Sequence, residues 1–323
     1  MNKIISKNKK LLIVLGAYLT LCASLVILLR NPSDSLIQVL FEATVSYNQS
    51  LDYFEEDGLY ILTTGTGAPM PDKMRAGPQT IVVAGKQVLA FDAGPGSTLK
   101  QELSPVDVGA VDALFVTHFH SDHIGGMGEL MLKRWGNGSP EQPLPIYGPA
   151  GIEAVVNGFE SAYAFDKGYR IAHHGEEVMP PMGFGGVANT FDLGSDLMSS
   201  ETIYKNGDVE VIAFNVAHAP VFPAVGYRVN YKSRSAVITG DTKYTESLIH
   251  HSKNADVLVS EALNMKFSKM LAVAGEDTET NISAIATDIL DYHISPKEAA
   301  VVAREADVQQ LVITHILPPC PQI

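Results

Sequence analysis

The chain has 323 residues, 46% of them hydrophobic and 18% charged, with a formal net charge of −13. That composition excludes a disordered chain, and the acidic balance argues against a nucleic-acid partner, which needs a basic surface to displace counterions from phosphates. Cys22 and Cys320 are too few for a disulfide framework or a cysteine-rich metal site, so any metal falls to histidines and carboxylates.

Lys3, Lys7, Lys9 and Lys10 precede an uncharged run at 11–29, "LLIVLGAYLTLCASLVILL". Its length approaches the roughly 20 residues a helix needs to cross hydrocarbon. The flanking lysines predict that this end stays in the cytoplasm while the body is exported. A cleaved signal would have a shorter apolar run and a clean small-x-small site. Residues 1–30 are therefore expected to be a transmembrane anchor rather than a signal. The rest of the chain is then membrane-anchored and extracytoplasmic, or secreted if the segment is cleaved. Residues 31–57 are expected to be a linker with one amphipathic segment, and 58–323 the catalytic body.

Within the body, "LYILTTGTGAP" predicts a strand ending in a close glycine turn, without the Lys-Ser/Thr ending of a phosphate loop. "TIVVAG" and "QVLAFDAG" predict a hairpin, and "VDALFVTH" a buried strand. "GIEAVVNGFESAYA" reads as helix, and 166–200, rich in Gly, Pro and Met, as a long irregular insertion. Further strands are expected in "DVEVIAFNVAH", "AVGYRVNY", "SAVITGD", "DVLVSEAL" and "VQQLVITH". Ser295 and Pro296 mark a helix start as cap and first-turn residue. Strands followed by helices imply a layered α/β architecture with polar residues delivered at strand ends.

One such end carries "HFHSDH", residues 118–123. Burying His118, His120, Asp122 and His123 on one loop would be costly without ions or partners. His118 and His120 alternate on extended backbone and can face one ion; Asp122 and His123 follow where a helix begins and can reach a second. A catalytic zinc site needs about three protein ligands and an open position, so further ligands must come from elsewhere. His218, Asp241 and His315 each follow an apolar strand and are the candidates.

This constellation resembles the metallo-β-lactamase superfamily of metal-dependent hydrolases over roughly residues 58–318. The resemblance implies a four-layer αββα sandwich and two divalent metal ions, zinc by ligand type. It implies that His118, His120 and His218 bind one ion, that Asp122, His123 and His315 bind the other, and that Asp241 bridges them. Two such ions make hydroxide available near neutral pH and stabilise charge on substrate oxygens. The cysteine of true zinc β-lactamases is absent, which argues against β-lactam hydrolysis.

Glu261 in "DVLVSEAL" and His293 in "DYHISPKEAA" look like the ribonuclease Z and arylsulfatase branch, in which a glutamate orients a histidine beside the metals. His293 is then the general acid and Glu261 its orienter, while Asp122 also accepts the attacking water's proton. Residues 219–240 leave no room for the long arm common between these motifs in tRNA-trimming members. With the acidic charge and expected export, this points to a small anionic sulfate or phosphate ester, and to an arylsulfatase-like enzyme. The alternatives are a ribonuclease Z-related phosphodiesterase, a lactonase, or a metal-dependent binding module. The family also admits a homodimer.

Asp92 is placed to hydrogen-bond a ligand histidine. His173 and His174 match no ligand spacing and are expected to cap or solvate a loop; His250 and His251 are expected on the surface of a helix. Met179, Met182 and Phe184 are candidates for an apolar wall against an aryl group.

Overall fold

A computed structural model describes residues 30, 33–48, 54 and 56–319. The chain divides into two units, Met1–Ser50 and Leu51–Ile323. In the first, the described residues form α1 (Asp34–Asn48), inside the stretch expected to be a linker. Ser33 Oγ accepts from the Leu36 amide and caps the helix start. The apolar run at 11–29, expected to be an anchor, lies outside the described residues. Among the described residues no helix is long and apolar enough to cross a membrane.

The second unit is built in two successive halves. The first contains β1 (Leu59–Gly65), β2 (Gln79–Ala84), β3 (Gln87–Phe91), α2 (Ser97–Glu102), β4 (Val111–Phe115), α3 (Ser121–Ile124), α4 (Met127–Gly138), β5 (Leu144–Pro149), α5 (Ile152–Ala162), α6 (Ala164–His174) and β6 (Gly186–Phe191). The second contains β7 (Ser200–Asn206), β8 (Val209–Asn215), β9 (Val225–Tyr231), β10 (Arg234–Ile238), α7 (Glu246–Ser252), β11 (Val257–Leu263), α8 (Met265–Gly275), α9 (Ile282–Asp288), α10 (Pro296–Glu305) and β12 (Gln310–Leu317).

Each half forms one six-stranded mixed sheet, in orders β1-β2-β3-β4-β5-β6 and β12-β11-β10-β9-β8-β7. Strands β1 to β3 pair antiparallel and β3 to β6 parallel. In the second sheet β10, β11 and β12 are parallel, and β7 to β10 antiparallel.

Side-chain alternation explains the layers. Along β2 and β3, Ile81, Val83, Val88 and Ala90 pack with Met127 and Leu130 of α4 and Ile152 and Val156 of α5. The intervening Val82, Ala84, Leu89 and Phe91 turn inward against Val209, Val211, Val225 and Tyr227 of the other sheet. Phe214, at the end of β8, joins Leu248 of α7 and Ala299 and Val302 of α10 on the outer face of the second sheet. Strands covered on both faces need a continuous apolar run, which is what "TIVVA" supplies. Phe91 and Phe115 stack at 4.9 Å in the central layer, each contributing roughly 2–3 kcal/mol by burial. The α/β expectation holds, with helices outside two facing sheets.

The insertion is more ordered than expected. Residues 164–174 form α6 and 186–191 form β6, which adds a parallel edge to the first sheet. Trp135 of α4 is fully buried, and its Nε1–H donates to the Pro180 carbonyl at 2.8 Å, pinning the 175–185 segment.

Candidate metal centre

The β4 end delivers His118, and Asp92 at the end of β3 holds it in place. Asp92 adopts φ 59°, and its Oδ1 accepts the Thr117 amide at 2.8 Å. The Thr117 hydroxyl donates to Asp92 and lies 3.1 Å from His118 Nδ1. Asp92 Oδ2 also accepts from His123 Nδ1 at 2.8 Å, which fixes that ring's tautomer and leaves Nε2 facing the site. His120 sits at the start of α3, and Asp122 and His123 occupy its first turn.

The second sheet supplies the facing groups. His218 follows β8, and its Nδ1 donates to the Tyr292 carbonyl at 3.0 Å. Asp241 follows β10 beyond Gly240, whose φ of 59° lets the chain turn where a Cβ would come within 2.8 Å of Thr117. His315 lies inside β12, where the register against β11 slips between Glu261 and Ala262. His315 is the extra residue, at φ 41°, and this bulge re-aims its side chain toward the seam between the sheets. The next residue, Ile316, donates its amide to the Thr66 carbonyl. The glycine turn after β1 is packed so closely there that a Cβ on Gly65 would overlap the Gly77 carbonyl at 1.7 Å.

Asp241 lies at the centre. Its Oδ2 is 3.8 Å from His118 Nε2 and 3.7 Å from His218 Nε2; its Oδ1 is 3.3 Å from His123 Nε2 and 3.5 Å from His315 Nε2. Asp122 Oδ2 lies 3.1 Å from His315 Nε2. Three sets of ligand atoms each fall within 4.8 Å of one another: His118, His120, His218 and Asp241; Asp122, His123 and His315; and Asp241, His293 and His315. His123 Nε2, His218 Nε2 and Asp241 Oδ1 are buried without a hydrogen-bond partner. Buried polar atoms without partners are costly, and imidazole nitrogens converging on carboxylates are a donor set for divalent cations. The residues therefore fit divalent metal ions.

The protonation balance differs among the histidines: at His123 burial is outweighed by the charges of Asp241 and Asp92, which shift it well above an ordinary histidine, whereas His118 and His218 move down. Burial holds His118 well below an ordinary histidine and His218 down to about 4, leaving both rings neutral as metal binding requires. Burial opposes ionisation of Asp241, yet His315 and His123 beside it keep its carboxyl well below the usual range. Burial likewise raises Asp122, but the hydrogen bond to His315 and the nearby His123 leave it net lowered.

Beside this cluster, Glu261 Oε1 accepts from His293 Nδ1 at 2.9 Å and from the Thr242 amide at 3.0 Å. Burial raises Glu261; for His293 burial is outweighed by the charges of Glu261 and Asp241, so its net shift is upward. His293 Nδ1 is 3.9 Å from Asp241 Oδ2. Ser295 caps α10 with Glu298 in a reciprocal capping box and Pro296 in the first turn, fixing the entry two residues after His293.

All nine residues expected in the site thus converge, and Asp92 joins them. His173 and His174 do not: they end α6, which buries none of its residues. His251 departs from the surface expectation, because its ring is buried and stacks on Phe214 at 4.6 Å. Met179, Met182 and Phe184 form no common wall. Met179 is buried, Met182 is 73% exposed, and Phe184 packs edge-on against Trp135.

Comparisons with known proteins bear on this geometry. A family model described as "Beta-lactamase superfamily domain" matches residues 88–316. A ribonuclease Z of Mycolicibacterium gilvum (strain PYR-GCK) is 35% identical over 79% of this chain and 82% of its own length. A ribonuclease Z of Mycobacterium marinum (strain ATCC BAA-535 / M) is 35% identical over 80% and 86%. Among solved structures, the short form of human tRNase Z superposes with a TM-score of 0.56 at 23% identity, covering 79% of this chain and 92% of that one. The metallo-β-lactamase fold protein YhfI from Bacillus subtilis gives 0.55 at 22%, covering 82% and 88%. The two structures share the fold.

These findings correct two expectations. The net charge and the missing arm argue against nucleic acid, yet the similar sequences are ribonucleases. A charge of −13 is a sum over the chain and says little about a single rim. The membrane-anchored, extracytoplasmic placement is likewise not supported by those relatives, which are ribonucleases Z.

Proposed function

This chain belongs to the beta-lactamase superfamily, in its ribonuclease Z-like branch, and is a metallo-β-lactamase-fold hydrolase; from that premise we propose that it is a zinc-dependent phosphodiesterase acting on RNA. The buried Glu261–His293 pair beside Asp241 carries the reading, because it supplies a proton donor next to the candidate ligands. The relatives favour this over an aryl sulfate ester as substrate.

His118, His120 and His218 would hold one ion, Asp122, His123 and His315 the other, and Asp241 both. When bound, such a pair supplies Lewis-acid stabilisation of phosphoryl oxygens and a nucleophile at neutral pH. The protein's own contribution begins with Glu261, which takes the Nδ1 proton of His293 as a hydrogen bond and fixes its tautomer. Burial of His293 is outweighed by the charges of Glu261 and Asp241, which favour the protonated ring, and this ring would donate its Nε2 proton to the departing ribose oxygen. Asp122, held ionised, accepts the proton of the attacking water. Asp92 and Thr117 keep the 118–123 loop from relaxing, so these groups are aligned before substrate arrives.

Steady-state rates on bis-(p-nitrophenyl) phosphate, a tRNA with a 3′ extension, and p-nitrophenyl sulfate test the reading, with metal content measured on the same sample. Turnover of both phosphodiesters and poor turnover of the sulfate are expected. Preference for the sulfate overturns it.

A further inference from the structure

We propose that Phe222 and Lys243 form a nucleotide grip at the rim of the site. In it the Phe222 ring stacks on the base flanking the scissile phosphodiester, and the Lys243 ammonium meets a neighbouring phosphate. This rests on the RNA reading above and names how the substrate is held.

The segment from Ala217 to Ala224 is a short loop fastened at both ends. The Val221 amide donates to the His218 carbonyl at 3.0 Å, closing a turn directly on a candidate ligand. The Val216 amide donates to the Ala224 carbonyl at 3.1 Å, and the Val225 amide to the Thr117 carbonyl at 3.0 Å. Val221 packs inward on the outer core of the second sheet, while Phe222 stands 63% exposed. The Lys243 amide donates to the Ala217 carbonyl at 2.8 Å, so the chain leaving Asp241 is tied to the loop leaving His218. Lys243 is exposed and makes no ion pair among the described residues.

An aromatic ring four residues from one candidate ligand and a cation two residues from another thus sit on loops bonded to each other. Single exposed apolar residues are common and carry no meaning alone. The position, the fastened loop and the cation on the loop bonded to it give this one its meaning. Proteins hold single-stranded nucleic acid by stacking bases on aromatic rings beside basic groups that follow the backbone. A loop already fixed also loses little entropy on binding. Lys243 offers a local positive charge despite the acidic total.

The test compares the p-nitrophenyl esters of thymidine 3′- and 5′-phosphate with methyl p-nitrophenyl phosphate, which has the same leaving group and no base. The quantity read is the kcat/KM ratio of nucleotide to methyl ester, from which any misfolded fraction cancels. Phe222→Ala should lower this ratio about tenfold, the range of one base–aromatic stack, and Phe222→Trp should retain it. Fluorescence anisotropy with a labelled single-stranded oligonucleotide supplies a reading independent of hydrolysis. There Phe222→Ala should weaken binding about tenfold, and Lys243→Ala should reduce the slope of log affinity against log salt by about one. Failure of the parent protein to cleave any of the esters would defeat the phosphodiesterase reading while anisotropy still decides the grip. An unchanged ratio together with unchanged oligonucleotide affinity in Phe222→Ala overturns the grip.

Discussion

Histidines lie close together in sequence both at the seam between the sheets and at the end of α6, with opposite consequences. At the seam between the sheets, His118 is fully buried, its ring 4.1 Å from that of His123 and close to Asp241. At the end of α6, His173 and His174 lie in solvent, 6.2 Å apart, on a helix with no buried residue. Closeness in sequence does not distinguish the two. What differs is delivery: strand ends from both sheets bring carboxylates against the first pair, while the second stands exposed.

The largest break in this contrast comes from removing the carboxylate at the centre. Asp241→Ala should release at least one ion, read by metal analysis, and abolish hydrolysis. His293→Ala should keep the metal and slow turnover by about 10²–10⁴-fold, the span of general acid catalysis. If His293→Ala also strips metal, the cluster it forms with Asp241 and His315 is a ligand set and the division of labour is wrong.

A smaller effect is expected one bond farther out. Asp92→Asn keeps an acceptor for the Thr117 amide but loses the charge behind His123. Metal affinity should fall about 10–100-fold in a chelator competition titration.

His251 sharpens the comparison, being a buried histidine with no metal-site neighbours. Burial holds its pKa down to about 4, whereas an unfolded chain titrates near 6.5. Between those values the unfolded state binds the extra proton. Stability on this account is complete above about pH 6.5 and is lost as pH falls toward 4. His251→Phe preserves the stack on Phe214 and should remove about 2 kcal/mol of that loss, read from urea melts at pH 7 and pH 4.5. The smallest effect belongs to the double variant of His173→Ala and His174→Ala, which should keep full metal content and change stability by less than about 0.5 kcal/mol.

The site was more legible than the surface around it. His118, His218, Asp241 and His315 stand at the ends of apolar runs, where an imidazole or carboxylate adds nothing to the core behind it and points to a ligand role. Glu261 and His293 were readable as a pair only through the family resemblance, since neither is near the other in sequence. Helix α6 was missed because an exposed helix leaves no core stripe to recognise, and Gly168 and Gly175 within "DKGYRIAHHG" suggested a loop. Strand β6, "GVANTF", buries only Phe191 fully, with Ala188 partly buried against the core, and offered little alternation. His251 was misjudged because its burial depends on Phe214, a residue of another element. Phe222 and Lys243 gave no signal, as their loops are joined only by a backbone bond from Lys243 to Ala217.

The bulge at His315 closes the second sheet against a loop that leaves the first. With ligands contributed by both halves, a chelatable cation would bind the docked pair and neither half alone. Loading would then act as a clasp, adding its binding free energy to cohesion between the sheets. Stripping with chelator should lower the melting temperature most where the two layers meet, so hydrogen exchange along β4 and β12 would report occupancy before any substrate is added.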